Sequence, residues 1–137
     1  MIASEDYLSA AGFAFEKRRG VRLGPYELSI IEKAGLADAD CERVADEIWT
    51  SLEIERPEAY RVTAYWALGK QYRAPDKKRL IEALARELPQ SAHVVYQILV
   101  ALQNHGEEVF HPNRHGTSYD EAELNRADAT AYLARQR

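Results

Sequence analysis

The sequence lacks the features that would indicate a disulfide framework, a membrane span or a secretion signal. Its one cysteine, Cys41, has no partner for an internal disulfide. The longest apolar stretch runs from Val94 to Leu102 with Gln97 inside it, far short of the ~20 residues that a membrane helix needs. No basic segment followed by an apolar one opens the chain. We therefore expect a cytoplasmic protein that has no membrane partner.

Basic residues are also fewer than acidic ones. The 137 residues include 18 lysines and arginines against 22 aspartates and glutamates, which gives a net charge of −4. Binding a phosphate backbone requires a basic surface, and a helix-turn-helix drawn across residues 25–52 would carry five acidic residues on its recognition helix. The basic residues between positions 17 and 22 are accounted for by the dipole of the helix that ends there. We predict no nucleic-acid partner.

Motifs that carry catalysis or hold cofactors are absent as well. The chain has no nucleophile elbow, no phosphate-binding glycine loop and no dinucleotide fingerprint. Cys41 lies on the apolar face of a predicted helix, where a thiol behaves as a small hydrophobic group. His105, His111 and His115 lack the additional ligands that a zinc site requires. The sequence predicts no enzyme, no metal and no cofactor.

Apolar residues recur at helical spacing along the whole chain, and no stretch alternates as a strand would. This pattern predicts an all-α fold of about seven helices in a single domain covering residues 1–137. The predicted helices begin at or next to residues with capping or helix-starting chemistry, namely Ser4, Pro25, Asp38, Pro57, Pro75, Ser91 and Ser118 of a Ser118-x-x-Glu121 capping box. The helix after Ser91 is apolar almost all round, so we expect it at the centre of the fold.

Two architectures agree with this pattern. The segments 65–68 and 95–99 resemble each other about thirty residues apart, each inside an apolar helix, which allows an antiparallel, HEAT-like stack of helix pairs. Two helices packed on a third would give the same similarity, so an irregular helical bundle remains the alternative.

Charge is segregated along the chain. Residues 36–58 hold eight acidic and two basic residues, whereas residues 59–88 hold seven basic and three acidic ones. The third helix, predicted from Asp38 to about Glu53, places Glu42, Asp46 and Glu53 in a narrow arc beside Trp49. Such a stripe is either an ordinary solvated face or a docking surface for a basic protein. The partner-binding residues predicted on this surface are Asp38, Glu42, Asp46, Trp49 and Glu53, and a second acidic region near the 104–117 loop comprises Glu107, Glu108, Asp120 and Glu121.

The end of the chain carries a family resemblance. A turn-rich segment, His111-Pro112-Asn113-Arg114-His115-Gly116, precedes a helix that reads Glu123-Leu124-Asn125-Arg126-Ala127-Asp128-Ala129-Thr130-Ala131-Tyr132-Leu133. An Asn-x-x-x-Ala-x-x-Tyr-Leu ending after a loop and an acidic helix start resembles the last helix of small, all-helical, HEAT-like bacterial immunity proteins. The similarity extends loosely over residues 57–133.

The resemblance implies a protein that binds the toxin domain of a contact-dependent or other polymorphic toxin system and blocks it. Such toxins are frequently nucleases with basic active-site surfaces, which an acidic antagonist can occupy. No catalytic residue carries over from the family, because its members act by occupancy. The competing hypothesis is a non-catalytic helical adaptor or scaffold that binds another cytoplasmic protein.

Overall fold

The computed structural model describes residues 4–136, and every regular element in this range is helical. Its seven α-helices are α1 (Glu5–Arg18), α2 (Pro25–Ala34), α3 (Cys41–Ser51), α4 (Glu58–Leu68), α5 (Ala74–Glu87), α6 (Ala92–Asn104) and α7 (Ala122–Arg135). The prediction of an all-α fold with about seven helices is confirmed. None of these described helices is long and apolar enough to cross a membrane.

Several helix ends follow from the residue that stands there. The Ser4 hydroxyl accepts a hydrogen bond from the Tyr7 backbone N–H at 3.1 Å and caps α1. The Ser91 hydroxyl accepts one from the Val94 N–H at 3.2 Å and caps α6. Gly35 ends α2 with φ at +69°, a left-handed conformation that glycine adopts without strain.

The third helix is shorter than predicted at both ends. Residues Asp38–Asp40 form a 3₁₀ turn, and α3 begins only at Cys41. Asp38 is therefore not its cap. The Asp40 carboxylate accepts a hydrogen bond from the Ala37 N–H at 2.8 Å, which stabilises the 3₁₀ turn. Because α3 ends at Ser51, Glu53 lies in the turn that follows the helix.

The predicted capping box before the last helix is wrong. Helix α7 begins at Ala122, whereas a cap at Ser118 would start it at residue 119. The Ser118 hydroxyl donates to the Asp120 carboxylate and does not cap the helix. The Glu121 carboxylate binds Arg114 instead of returning to the Ser118 backbone. Both side chains of the predicted box therefore bond other partners.

The contacts divide the chain into two compact units, one ending at Gln71 and the other beginning at Tyr72. In the N-terminal unit, α1 contacts α2, α3 and α4. Small buried residues on α1 allow the close approach, and Gly12 lies directly against the Trp66 indole of α4. That the two units form one folding domain stays a prediction.

In the C-terminal unit, α6 packs against both α5 and α7. Ile98 and Leu99 are fully buried in it. The almost uniformly apolar sequence of α6 therefore corresponds to a helix covered on two sides, and α6 is the middle helix of this unit. The segment between α6 and α7, residues 105–121, contains no helix.

Candidate functional site

The predicted acidic stripe is only partly a surface feature. Glu42 and Asp46 are exposed on α3. Trp49 is 8% exposed, and its ring meets the Tyr65 ring of α4 edge to face at 6.1 Å between centroids. Trp49 is therefore a core residue of the N-terminal unit, where it has little surface to offer a partner.

Arginines already pair with part of the acidic stripe. The Arg18 guanidinium lies 2.8 Å from the Glu42 carboxylate. Arg43 lies 2.7 Å from Glu47 and 3.4 Å from Asp40. The backbone hydrogen bond from Ala37, with help from Arg43, holds the pKa of Asp40 below its ordinary value. Because these pairs are solvent-exposed, they contribute little stability and leave the carboxylates accessible.

The turn between α3 and α4 extends the acidic surface. Glu53 and Glu55 are exposed on either side of Ile54, which is 62% exposed. The one basic residue of this turn, Arg56, is only partly exposed. Its Nε donates to the Ser51 carbonyl at 2.7 Å, and its guanidinium lies over the Tyr60 ring. The carboxylates of the turn are therefore more exposed than its arginine.

The second predicted acidic region divides into anchored and exposed carboxylates. Glu107 accepts a hydrogen bond from the Tyr132 hydroxyl at 2.7 Å and lies 3.2 Å from the Lys77 ammonium. The Tyr132 bond in particular lowers the pKa of Glu107. Glu108 and Asp120 are exposed to solvent. Glu107 is thus mainly a structural group, while Glu108 and Asp120 remain available to a partner.

A nearly buried arginine, which the sequence gave no reason to single out, organises this region. The side chain of Arg114 is 8% exposed, and its guanidinium lies 2.8 Å from both Glu121 and Asp128. It also donates to the Asn125 Oδ1 at 3.0 Å. The three partners lie seven to fourteen residues further along the chain. Glu121, predicted to bind a partner, is therefore part of an internal ion-pair network.

The histidines are dispersed through the C-terminal unit. His105 is bonded through Nδ1 to the Ala101 carbonyl at 2.9 Å, and His93 meets the Tyr119 ring edge to face. His111 and His115 are exposed. Within residues 4–136, no three His, Cys, Asp or Glu side chains lie close enough together to hold a metal ion. Burial raises the pKa of the Cys41 thiol, which makes it a poor nucleophile.

An open groove in the C-terminal unit has basic walls but satisfied charges. It is lined by Tyr72, Arg73, Ala74, Lys77, Asn104 and His105. Arg73 lies 2.8 Å from the buried Asp76 carboxylate, and Lys77 is paired with Glu107. Both cations of the groove therefore have a carboxylate partner within the chain.

No family model, curated protein or solved structure shows significant similarity to the chain. The family resemblance of the last helix therefore stays a prediction. The residues that carry it lie in the interior: Asn125 and Ala129 are fully buried and Tyr132 is 2% exposed.

Proposed function

We propose that the chain is an immunity-type antagonist that binds a cognate toxin domain and neutralises it by covering its active-site or substrate surface. The expected toxin is a nuclease. Nucleases act on an anionic substrate, so their active-site surface is basic and attracts the carboxylates of an acidic antagonist. Carboxylates of the antagonist occupy the positions of the substrate phosphates, so inhibition requires no catalytic residue. The family resemblance and the charge of the exposed surface both support this proposal.

The observation that carries the proposal is the concentration of exposed carboxylates between residues 38 and 58. The first 71 residues hold thirteen acidic and nine basic side chains, whereas the remainder holds nine of each. The negative charge of the chain thus originates in its N-terminal part. Of the eight acidic residues between 38 and 58, all except Asp40 are exposed, whereas Arg56 is partly buried. A basic partner would meet a surface that attracts it before contact.

The proposal is tested by identifying the proteins that co-purify with the chain from its native host, co-expressing the chain with the toxin domain found in this way, and measuring growth. Wild-type chain is expected to restore growth and to form a stoichiometric complex with the purified toxin domain. Absence of protection contradicts the proposal. A stoichiometric complex with a resident cytoplasmic protein, without protection, would favour the helical adaptor.

Charge reversal then tests the surface. The double variant Asp46→Lys/Glu53→Lys is compared with Glu32→Lys/Glu82→Lys, which changes the net charge equally at exposed positions elsewhere. We expect the first variant to associate roughly tenfold more slowly at low salt, because steering acts through unscreened charge. The control should lose much less, and the difference should shrink at high salt. Equal association rates for the two variants would remove the 38–58 surface from the interface.

A further inference from the structure

The segment between α6 and α7 is unusually long for a connection without regular structure. It comprises seventeen residues, 105–121, whereas most connections in compact domains have about 4–6, and longer ones are generally binding loops or disordered linkers. This segment is held by specific side-chain bonds at several points. It therefore has the character of an ordered binding loop.

Buried groups fix the middle and the end of the segment. Arg114 reaches down to three polar side chains at the start of α7. The Asn125 side-chain amide donates to the Ser118 carbonyl at 2.9 Å, so the same asparagine holds two points of the segment. The Tyr96 hydroxyl of α6 lies 3.3 Å from the Thr117 carbonyl. These contacts fix the backbone on both sides of residues 115–116.

The first part of the segment is fixed as well. Val109 is 2% exposed, and the Phe110 ring lies between the Tyr96 ring, at 6.1 Å, and the Arg114 guanidinium, at 5.4 Å. The Glu108 carbonyl accepts a hydrogen bond from Arg135 of α7 at 2.8 Å. The segment is consequently ordered before any partner arrives, and little conformational entropy is lost on binding.

The outward side of this loop has the composition of a binding hot spot for a basic surface. Tyr119 is 58% exposed and Leu124, just inside α7, is 50% exposed. Asp120 and Glu123, next to them in the chain, are exposed. Glu108 lies near the other end of α7, where its carbonyl accepts a hydrogen bond from the exposed Arg135. Residues 115–124 contain three carboxylates and no lysine or arginine, so the charge of this part of the loop is negative.

We propose that residues 105–124 form a preorganised docking loop for a basic protein surface, with Tyr119 as its anchor. The proposal rests on the proposed function, since the partner is the same toxin domain, and it adds a second contact surface in the C-terminal unit. Tyrosine suits this role because it buries a large area while few torsions are frozen. The His93 ring, in edge contact with Tyr119 at 5.4 Å, restricts the orientation of the phenol further.

The test uses a matched pair of exposed tyrosines. Tyr119→Ala is compared with Tyr26→Ala, whose side chain on α2 is 71% exposed. The probe is the toxin domain identified by co-purification, carrying an inactivating substitution, and binding is followed by surface plasmon resonance. We expect Tyr119→Ala to weaken binding at least about tenfold, mainly through faster dissociation, and Tyr26→Ala to stay within about twofold of wild type. Asp120→Lys should slow association at low salt.

Each outcome has a defined meaning. Wild-type binding together with unchanged binding of Tyr119→Ala and Asp120→Lys would overturn the docking loop and leave the proposed function standing. Failure of wild-type chain to bind would overturn both. NMR relaxation of the unbound protein supplies a test that needs no partner: backbone order parameters of residues 114–118 should approach the ~0.85 of a rigid backbone. Order parameters below ~0.6 would refute the preorganisation. A far-UV circular dichroism spectrum equal to that of wild type shows that each variant is folded.

Discussion

Replacing Arg114 with methionine tests whether the Arg114 ion-pair network stabilises the fold because it is buried. Arg114 and Arg43 each pair with two carboxylates, but the Arg114 side chain is 8% exposed and that of Arg43 is 56% exposed. Methionine retains an unbranched apolar stem in both places and removes the charge. The pair of variants therefore compares the same chemistry in a desolvated and in a solvated setting.

The expected cost of Arg114→Met follows from what it leaves behind. Asp128, 10% exposed on its side chain, would lose its cation, and the fully buried Asn125 would lose a donor. Breaking a buried ion pair costs about 3–5 kcal/mol of unfolding free energy because a desolvated charge remains. We expect the lower end, about 3 kcal/mol, since Glu121 is 37% exposed and can be hydrated again. Arg43→Met should have little effect, because exposed pairs contribute little.

Urea unfolding with two probes measures this difference. Circular dichroism follows all helices, whereas tryptophan fluorescence reports on Trp49 and Trp66, both in the N-terminal unit. If the chain is a single cooperative domain, Arg114→Met shifts both transitions together. If the units unfold separately, only the circular dichroism transition moves. A loss for Arg114→Met no larger than that for Arg43→Met would refute the reasoning from burial.

Three further predictions concern packing, pH and metal. Gly12→Ala should destabilise by about 1–3 kcal/mol, because the added methyl overlaps the Trp66 indole, and Trp66→Leu in the same chain should reduce that loss. Glu107, whose pKa is lowered below its ordinary 4.5, should stabilise the fold fully above that pH and lose its contribution as pH falls below it. As the pH falls from 6 to 3, the difference in urea midpoint between wild type and Glu107→Gln should therefore shrink. A difference that stays constant would contradict this. Elemental analysis should find no stoichiometric zinc, whereas zinc that disappears in His111→Ala/His115→Ala would show a metal site in the loop.

Helix ends could be predicted where the deciding contact is local. A hydroxyl at position 4 or 91 needs only the N–H three residues later, and both caps form. The start of α7 depends instead on Arg114, which takes up the Glu121 side chain. A local capping pattern cannot indicate that one of its members has a stronger partner seven residues earlier.

The central packing role of α1 in the N-terminal unit could not be predicted from apolar periodicity alone. Besides Leu8 and Phe15, helix α1 buries the small residues Ala10, Ala11 and Ala14, which add little to an amphipathic pattern. Their importance lies in the close approach that they allow, which a count of bulky apolar residues overlooks. The burial of Trp49 depends in the same way on another helix. This residue stands at the edge of the apolar stripe of α3, and only the position of Tyr65 on another helix determines that it is covered.

Different residues carry the family resemblance and the proposed partner contacts. The two sets therefore provide different information about the protein. Asn125 and Tyr132 are buried, and they bond the Ser118 carbonyl and the Glu107 carboxylate of the 105–121 segment. Any chain that closes such a loop onto its last helix would benefit from an asparagine and a tyrosine at this spacing, whatever it binds. The motif is therefore informative about how the loop is held. The proposed docking loop assigns the choice of partner to the exposed side, at Tyr119 and Asp120, where we expect substitutions to alter binding without disturbing the buried anchors.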